Sequence, residues 1–356
     1  MCPPDATRSS LPPAPRHSFA SDNAAGVTPE VMAALDAANT GSALAYGDDD
    51  WTRVAERAMQ DLLGGPVETL LCWGGTGANV VGLASLLAPH ECVLTVDSAH
   101  IVVDECGAPV RFSGSTIQTV PHVDGKLDAD ALAPYLHWRG VEHHPQPRVL
   151  SVSQATEMGT CYTPDELAAL CELAHTHDMV VHLDGARIAN AVAAADTTLA
   201  EMVVDTGVDV MTFGMTKNGA MYGEAVVFVD PSLATHARFV RKQAGQLVSK
   251  SRFVAAQLLA LLEADRWRSN AAHANAMAAR LADAARAVPG VTLVRDPQVN
   301  SVFVRLPAER IATLQDWSFF WDWDRTESMV RWMTSFCTTT DDVDAFVAGV
   351  RQLLAD

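Results

Sequence analysis

Basic residues are scarce in this chain: 25 lysines and arginines stand against 43 aspartates and glutamates, a formal net charge of −18. A surface of that sign repels nucleic acid and anionic membranes, so neither is expected as a partner. An anionic ligand would have to meet a local collection of the few cations. Long apolar runs are missing too. No stretch of about 18 residues reads as a membrane span, and the opening MCPPDATRSSLPPAPRHSF lacks the apolar centre of a secretory signal. Residues 1–16 are expected to be a mobile, proline-rich leader, and the protein to be cytoplasmic. The seven cysteines include no CxxC pair and are odd in number. That argues against a disulfide framework or a zinc site, and for buried thiols in a reducing compartment.

What the chain has in quantity is apolar residues, 49% of its 356 positions. Its length suits one large and one smaller domain. Short β-rich runs alternate with helical ones through the middle. ETLLCW (68–73), CVLTVD (92–97), RVLSVSQ (148–154), MVVHLD (179–184), VDVMTFGM (208–215) and EAVVFVD (224–230) read as strands. TPDELAALCELAHTHD (163–178) reads as a helix, with Thr163 as its cap and Pro164 in its first position. Near-continuous apolar strands alternating with helices predict an α/β fold with a mostly parallel sheet covered on both faces. After about residue 240 alanine-rich helices take over, with strands at 291–296 and 300–306 and a closing helix at 340–354. The expected division is a large domain over 17–245 and a small α+β domain over 246–356.

Three segments carry chemistry. In HLDGARIANA, Asp184 ends a buried strand, where ligands gather in open α/β sheets; a buried acid there needs a cationic partner. Taken alone it reads equally well as the cap of the next segment. Lys217, in FGMTKNGAMYGE, follows another apolar strand. Apolar surroundings depress an amine's pKa and favour Schiff-base chemistry, although an isolated lysine in a glycine-rich loop is usually an ordinary surface residue. GGTGAN (74–79) places glycines at 74, 75 and 77 ahead of a helix, a combination suited to phosphate. It is neither a Walker loop nor a dinucleotide fingerprint. Together the three match the needs of a pyridoxal 5′-phosphate site: a lysine amine, an acid for the pyridine nitrogen and a phosphate cradle. His100 could stack on a flat cofactor or act as a base. His143 and His144, just before RVLSVSQ, could also reach the strand ends, but as adjacent residues they make no metal site.

These motifs, in this order, resemble the low-specificity L-threonine aldolases, a branch of the fold-type-I pyridoxal-phosphate enzymes, from Phe19 onward. FASDNAAGVTPEVMAAL and AYGDDDWTRVAERAMQDLLG are similar to that family's opening segments, and HLDGAR is the most specific match. The resemblance implies that Lys217 is the Schiff-base lysine and that Asp184 pairs with the pyridine nitrogen. It implies that His100 stacks on the ring, and that Gly75, Thr76 and Gly77 hold the phosphate. Arg187 would lie near cofactor and substrate, Ser21 and Arg331 would bind the substrate carboxylate, and His143 would be a second active-site histidine. It also implies a homodimer or homotetramer with sites at subunit interfaces. SVSQATEMGTCY departs from the family's Glu-Asn-Thr-His segment, and the variant resembles a branch that includes phenylserine aldolases. The implied activity is retro-aldol cleavage of L-β-hydroxy-α-amino acids to glycine and an aldehyde. The alternatives are a β-eliminating lyase or aminotransferase on the same scaffold, and a catalytically silent binding relative.

Overall fold

The computed structural model describes residues 12–355. The leader expected at residues 1–16 lies outside the described residues as far as position 11. The described residues divide into two compact units, one of residues 27–269 and one of residues 12–26 with 270–355.

In the larger unit the strands follow the apolar runs. They are β1 (Glu68–Cys72), β2 (Glu91–Val96), β3 (Thr116–Val120), β4 (His122–Val123), β5 (Lys126–Leu127), β6 (Gln146–Ser153), β7 (Val180–Gly185), β8 (Val210–Gly214) and β9 (Glu224–Phe228). β4 and β5 make a small hairpin; the other seven form one sheet in the order β1-β9-β8-β7-β6-β2-β3. Only β9 runs against its neighbours, pairing antiparallel with both β1 and β8. Every residue of β7, β8 and β9 is buried. Side chains alternate between faces, so both faces of the sheet centre are covered.

The helices begin and stop where local chemistry directs. Thr163 caps Pro164–Thr176 through a reciprocal capping box with Glu166. Asp49 caps Asp50–Leu63, and Gly64 ends it in the left-handed conformation, φ 74°. The helix Arg252–Leu262 packs on Pro29–Ala38 and Asp50–Leu63. Residues 246–269 therefore belong with the larger unit, and the division falls about two dozen residues beyond the expected boundary at 245. Alanine-rich composition marks helix, not domain membership.

The smaller unit has an antiparallel sheet of β10 (Thr292–Leu293), β11 (Ser301–Arg305), β12 (Trp321–Asp324) and β13 (Met329–Met333), in the order β10-β11-β13-β12. β12 and β13 are strands the sequence reading left out. Phe19, Phe320, Trp332 and Phe346 are the aromatic centre of its core. The N-terminal segment belongs here because the Phe19 carbonyl accepts the Met333 N–H, 2.8 Å. His17 adds a 2.7 Å contact to the buried carboxylate of Asp342.

Two glycines set how closely the ends of β7 and β8 approach. A β-carbon on Gly185 would stand 2.3 Å from the Thr212 carbonyl oxygen, and one on Gly214 would stand 2.3 Å from the Ala186 carbonyl oxygen. Both obstacles are backbone, which cannot rotate away. Gly214→Ala is expected to displace the turn at Ala186–Arg187 and cost about 1–3 kcal/mol of stability. Chemical denaturation measures it; an unchanged midpoint would contradict the close approach.

Candidate active site

Six of the seven strands run in the same sense, so their carboxyl ends meet at one edge of the sheet. A cleft opens at that edge. Its lining includes Gly75 and Asn79 after β1, His100 and Glu105 after β2, Ser153 and Glu157 at and just past the end of β6, Asp184 near the end of β7 and Arg187 just past it, and Lys217 after β8. Five of the expected site residues (Gly75, His100, Asp184, Arg187 and Lys217) are thus brought together. Thr76 and Gly77 occupy the first turn of the helix Gly75–Ala84.

Asp184 is buried, and its carboxylate is held at both oxygens. Oδ1 accepts the Ala186 N–H at 3.0 Å and Oδ2 accepts Asn79 Nδ2–H at 2.8 Å. Burial alone would raise its pKa; the Lys217 ammonium and these donors outweigh it and hold the carboxyl below its ordinary value. Asn79 uses both of its amide hydrogens. Its second amide hydrogen goes to Glu105 Oε1, 2.8 Å, and its carbonyl accepts from the Thr212 hydroxyl, 2.9 Å. Below Asp184 on the same strand lies His182, bonded to Ser151 at 3.0 Å. Burial lowers its pKa to about 4, so it is neutral near pH 7.

Glu105 also takes Nδ1 of His100 at 2.8 Å. That bond, ahead of the nearby Asp184 charge and against the desolvation of the ring, raises the His100 pKa. A carboxylate on Nδ1 keeps a proton there. Lys217 sits in the short turn Thr216–Asn218. Two anchors fix this turn: Glu224 Oε2 accepts the Met215 N–H, and Asn218 Nδ2 donates to the Trp267 carbonyl at 2.7 Å. Glu224 is buried, which raises its pKa to about 7.

Other expected residues stand elsewhere. His143 is exposed in the turn ahead of β6, at the amino end of that strand, whereas the cleft is lined by Ser153 at its carboxyl end. Eight extended residues span roughly 25 Å, so His143 does not reach the cleft of its own chain. It precedes its strand instead of following it. Ser21 and Arg331 belong to the smaller unit: Ser21 caps a short turn at Asp22–Ala24 and Arg331 lies in β13, each two residues from the Phe19–Met333 bond.

The beta-eliminating lyase family model matches residues 18–309. A low specificity L-threonine aldolase of Pseudomonas aeruginosa is 39% identical over 339 residues, 94% of this chain and 97% of that protein. One from Pseudomonas sp. strain NCIMB 10558 is 39% identical over 88% of this chain and 94% of its own length. The chain belongs to the beta-eliminating lyase family, on its threonine aldolase branch. The structure of Leishmania major threonine aldolase superposes with a TM-score of 0.88 at 29% identity, covering 95% of this chain and 99% of that one. This family member is therefore a threonine-aldolase-like lyase of fold type I, acting on an amino acid.

The family depends on pyridoxal phosphate, and the cleft suits that group. Asp184 is an ionised buried acid beside an amine. Gly74 and Gly75 face open space at the helix start, where a backbone anion site needs it, while a β-carbon on Gly77 would strike the Gln246 side chain at 2.1 Å. The sequence reading missed Asn79, Glu105, Ser153, Glu157 and Glu224. Asn79 carried a usable signal, as an amide set directly before the apolar run VVGLA of the helix GTGANVVGLA. Glu105, five residues after His100, carried a weaker one.

Asn79→Ala is expected to cost about 1–3 kcal/mol by leaving carboxylate oxygens without donors. The pH dependence has a defined sign. A carboxyl whose pKa is depressed on folding stabilises above its unfolded pKa and loses that stability as pH falls through the folded one. Without Asn79 the folded pKa of Asp184 rises, so the acid-side loss should begin at higher pH. Calorimetry of both proteins from pH 7 downward measures it; coincident acid limbs would remove Asn79 from the role.

Proposed function

We propose that this chain uses pyridoxal phosphate to cleave L-β-hydroxy-α-amino acids to glycine and an aldehyde, with L-threonine, L-allo-threonine and phenylserine as candidate substrates. The observation that carries the reading is one cleft lined by Lys217, an ionised Asp184, His100 and Arg187. Lys217 would hold the cofactor through its amine. The backbone of Gly75, Thr76 and Gly77 would hold the phosphate, using the positive end of the helix that follows. Asp184, kept ionised by its surroundings, would pair with a protonated ring nitrogen. When bound, pyridoxal phosphate supplies an electron sink for the pair left as the Cα–Cβ bond breaks.

The remaining roles are positioning. Arg187, Ser21 and Arg331 are assigned to the substrate carboxylate, which fixes the bond to be broken. His100, oriented by Glu105, is assigned to the face of the ring. The active form is proposed to be a cytoplasmic homodimer or homotetramer, in keeping with the family's interfacial sites. The family's description also covers β-elimination, which yields ammonia and a keto acid where an aldolase yields glycine and an aldehyde.

Lys217→Ala should abolish the visible absorbance band of lysine-linked cofactor together with cleavage. Asp184→Asn should keep cofactor yet lose at least about 10²-fold in turnover. A screen of threonine, allo-threonine and phenylserine with aldehyde detection reads both variants. An unchanged spectrum in the first or full turnover in the second would sink the corresponding assignment.

A further inference from the structure

The segment SVSQATEMGTCY, which begins in β6 and runs past its end, puts a carboxylate into the cleft. Glu157 lines it together with His100, Asp184, Arg187 and Lys217. One oxygen is fixed: Oε1 accepts the His100 backbone N–H at 2.8 Å and the Ser153 hydroxyl at 2.7 Å. The other, Oε2, is buried and has no hydrogen-bond partner. A buried carboxylate oxygen with no donor is destabilising, a cost that a hydroxyl-bearing ligand would offset. His100 is held at Nδ1 by Glu105, and its backbone N–H is one of the two donors that fix Glu157 Oε1.

We propose that Glu157 takes the proton of the substrate's β-hydroxyl group through Oε2 as the Cα–Cβ bond breaks. The proposal rests on the aldolase reading above. The hydroxyl O–H bond breaks as the β-carbon gains its C=O bond, and the Cα–Cβ electron pair stays with the α-carbon. The aldehyde departs, a proton returns to the α-carbon to give glycine, and Glu157 releases its own proton to solvent. Amino acids without a β-hydroxyl leave Oε2 unpaired, so the residue also selects substrate.

Burial, and then the Asp184 charge, push the Glu157 carboxyl up, outweighing the donors on Ser153 and on the backbone of His100 and of Glu157 itself. A raised carboxyl is a stronger base once ionised. The titratable and charged groups around it are His100 and Glu105 after β2, Tyr162 beyond β6, Asp184 near the end of β7 and Arg187 just past it, and Lys217 after β8.

The test uses the cofactor-loaded full chain and Glu157→Gln, which keeps the acceptor for Ser153 and His100 but cannot take a proton. The visible absorbance band and the dissociation constant for glycine, by spectral titration, should match wild type. Exchange of the glycine α-proton in D2O, followed by NMR, involves no β-hydroxyl and should stay within about threefold. Cleavage of L-threonine should fall about 10²–10⁴-fold, and the acid limb of the wild-type kcat/KM profile should vanish from the residual activity. Cleavage within about threefold of wild type, or exchange and cleavage lost in equal measure, would overturn the proposal. Should Glu157→Gln lose the band, Glu157→Asp is judged by the same ratio of cleavage to exchange. A wild-type protein that exchanges glycine but releases no aldehyde would overturn the aldolase reading itself.

Discussion

Burying the Asp184 carboxylate at the end of β7 is the constraint around which the cleft is arranged. An ion removed from water without compensation is costly, and here three carboxylates (Glu105, Glu157 and Asp184) line one small space. Asn79 ties two of them together with its two amide hydrogens and is itself held by Thr212 of β8. One side chain thus couples the glycine-rich helix, the turn after β2, β7 and β8. Lys217 and Arg187 supply the positive charge, and a cationic ring nitrogen would complete the balance.

Placement depends on strand direction as much as on residue type. Because β9 alone runs backward, its first residue arrives at the same sheet edge where the parallel strands end. Glu224 pairs there with Cys72 on one side and Gly214 on the other. It lies between the strand leading to the glycine-rich turn and the strand leading to the lysine turn, and it holds the latter at Met215. Gly185 and Gly214 then allow the β7 and β8 ends to close to backbone contact. A glycine in either place is a spatial requirement; neither has a left-handed φ.

The sheet was legible because strands buried on both faces are written as continuous apolar runs, as in MVVHLD and VDVMTFGM. The chemistry was legible where a charged residue ends such a run, which is how Asp184 and Lys217 stood out. β12 and β13 were harder. WDWD and MVRWM are short and mix charge with aromatics: β12 is only partly covered, with Trp321 exposed, and β13 is buried except at half-buried Arg331. Glu105 was faint and Glu157 invisible for another reason: what matters in each is which oxygen lacks a donor. That depends on neighbours as far off in sequence as Asn79 for Glu105 and His100 for Glu157. His143 shows the opposite error, since proximity in sequence to a strand says nothing about which end of it a residue occupies.

Two carboxylates of similar chemistry are set in opposite directions within one cleft. Asp184 receives donors on both oxygens and the Lys217 charge, and is held ionised. Glu157 receives donors on one oxygen only and sits beside the Asp184 charge, and is pushed toward its neutral form. A site that must keep one negative charge fixed and pass one proton needs this asymmetry. Two equally stabilised carboxylates would leave both charges fixed and no group ready to exchange a proton. His100 completes the division, because Glu105 commits one ring nitrogen to donating. Which group carries charge and which carries the proton therefore follows from the donors reaching each oxygen: the backbone of Ala186 and His100, and the side chains of Asn79 and Ser153.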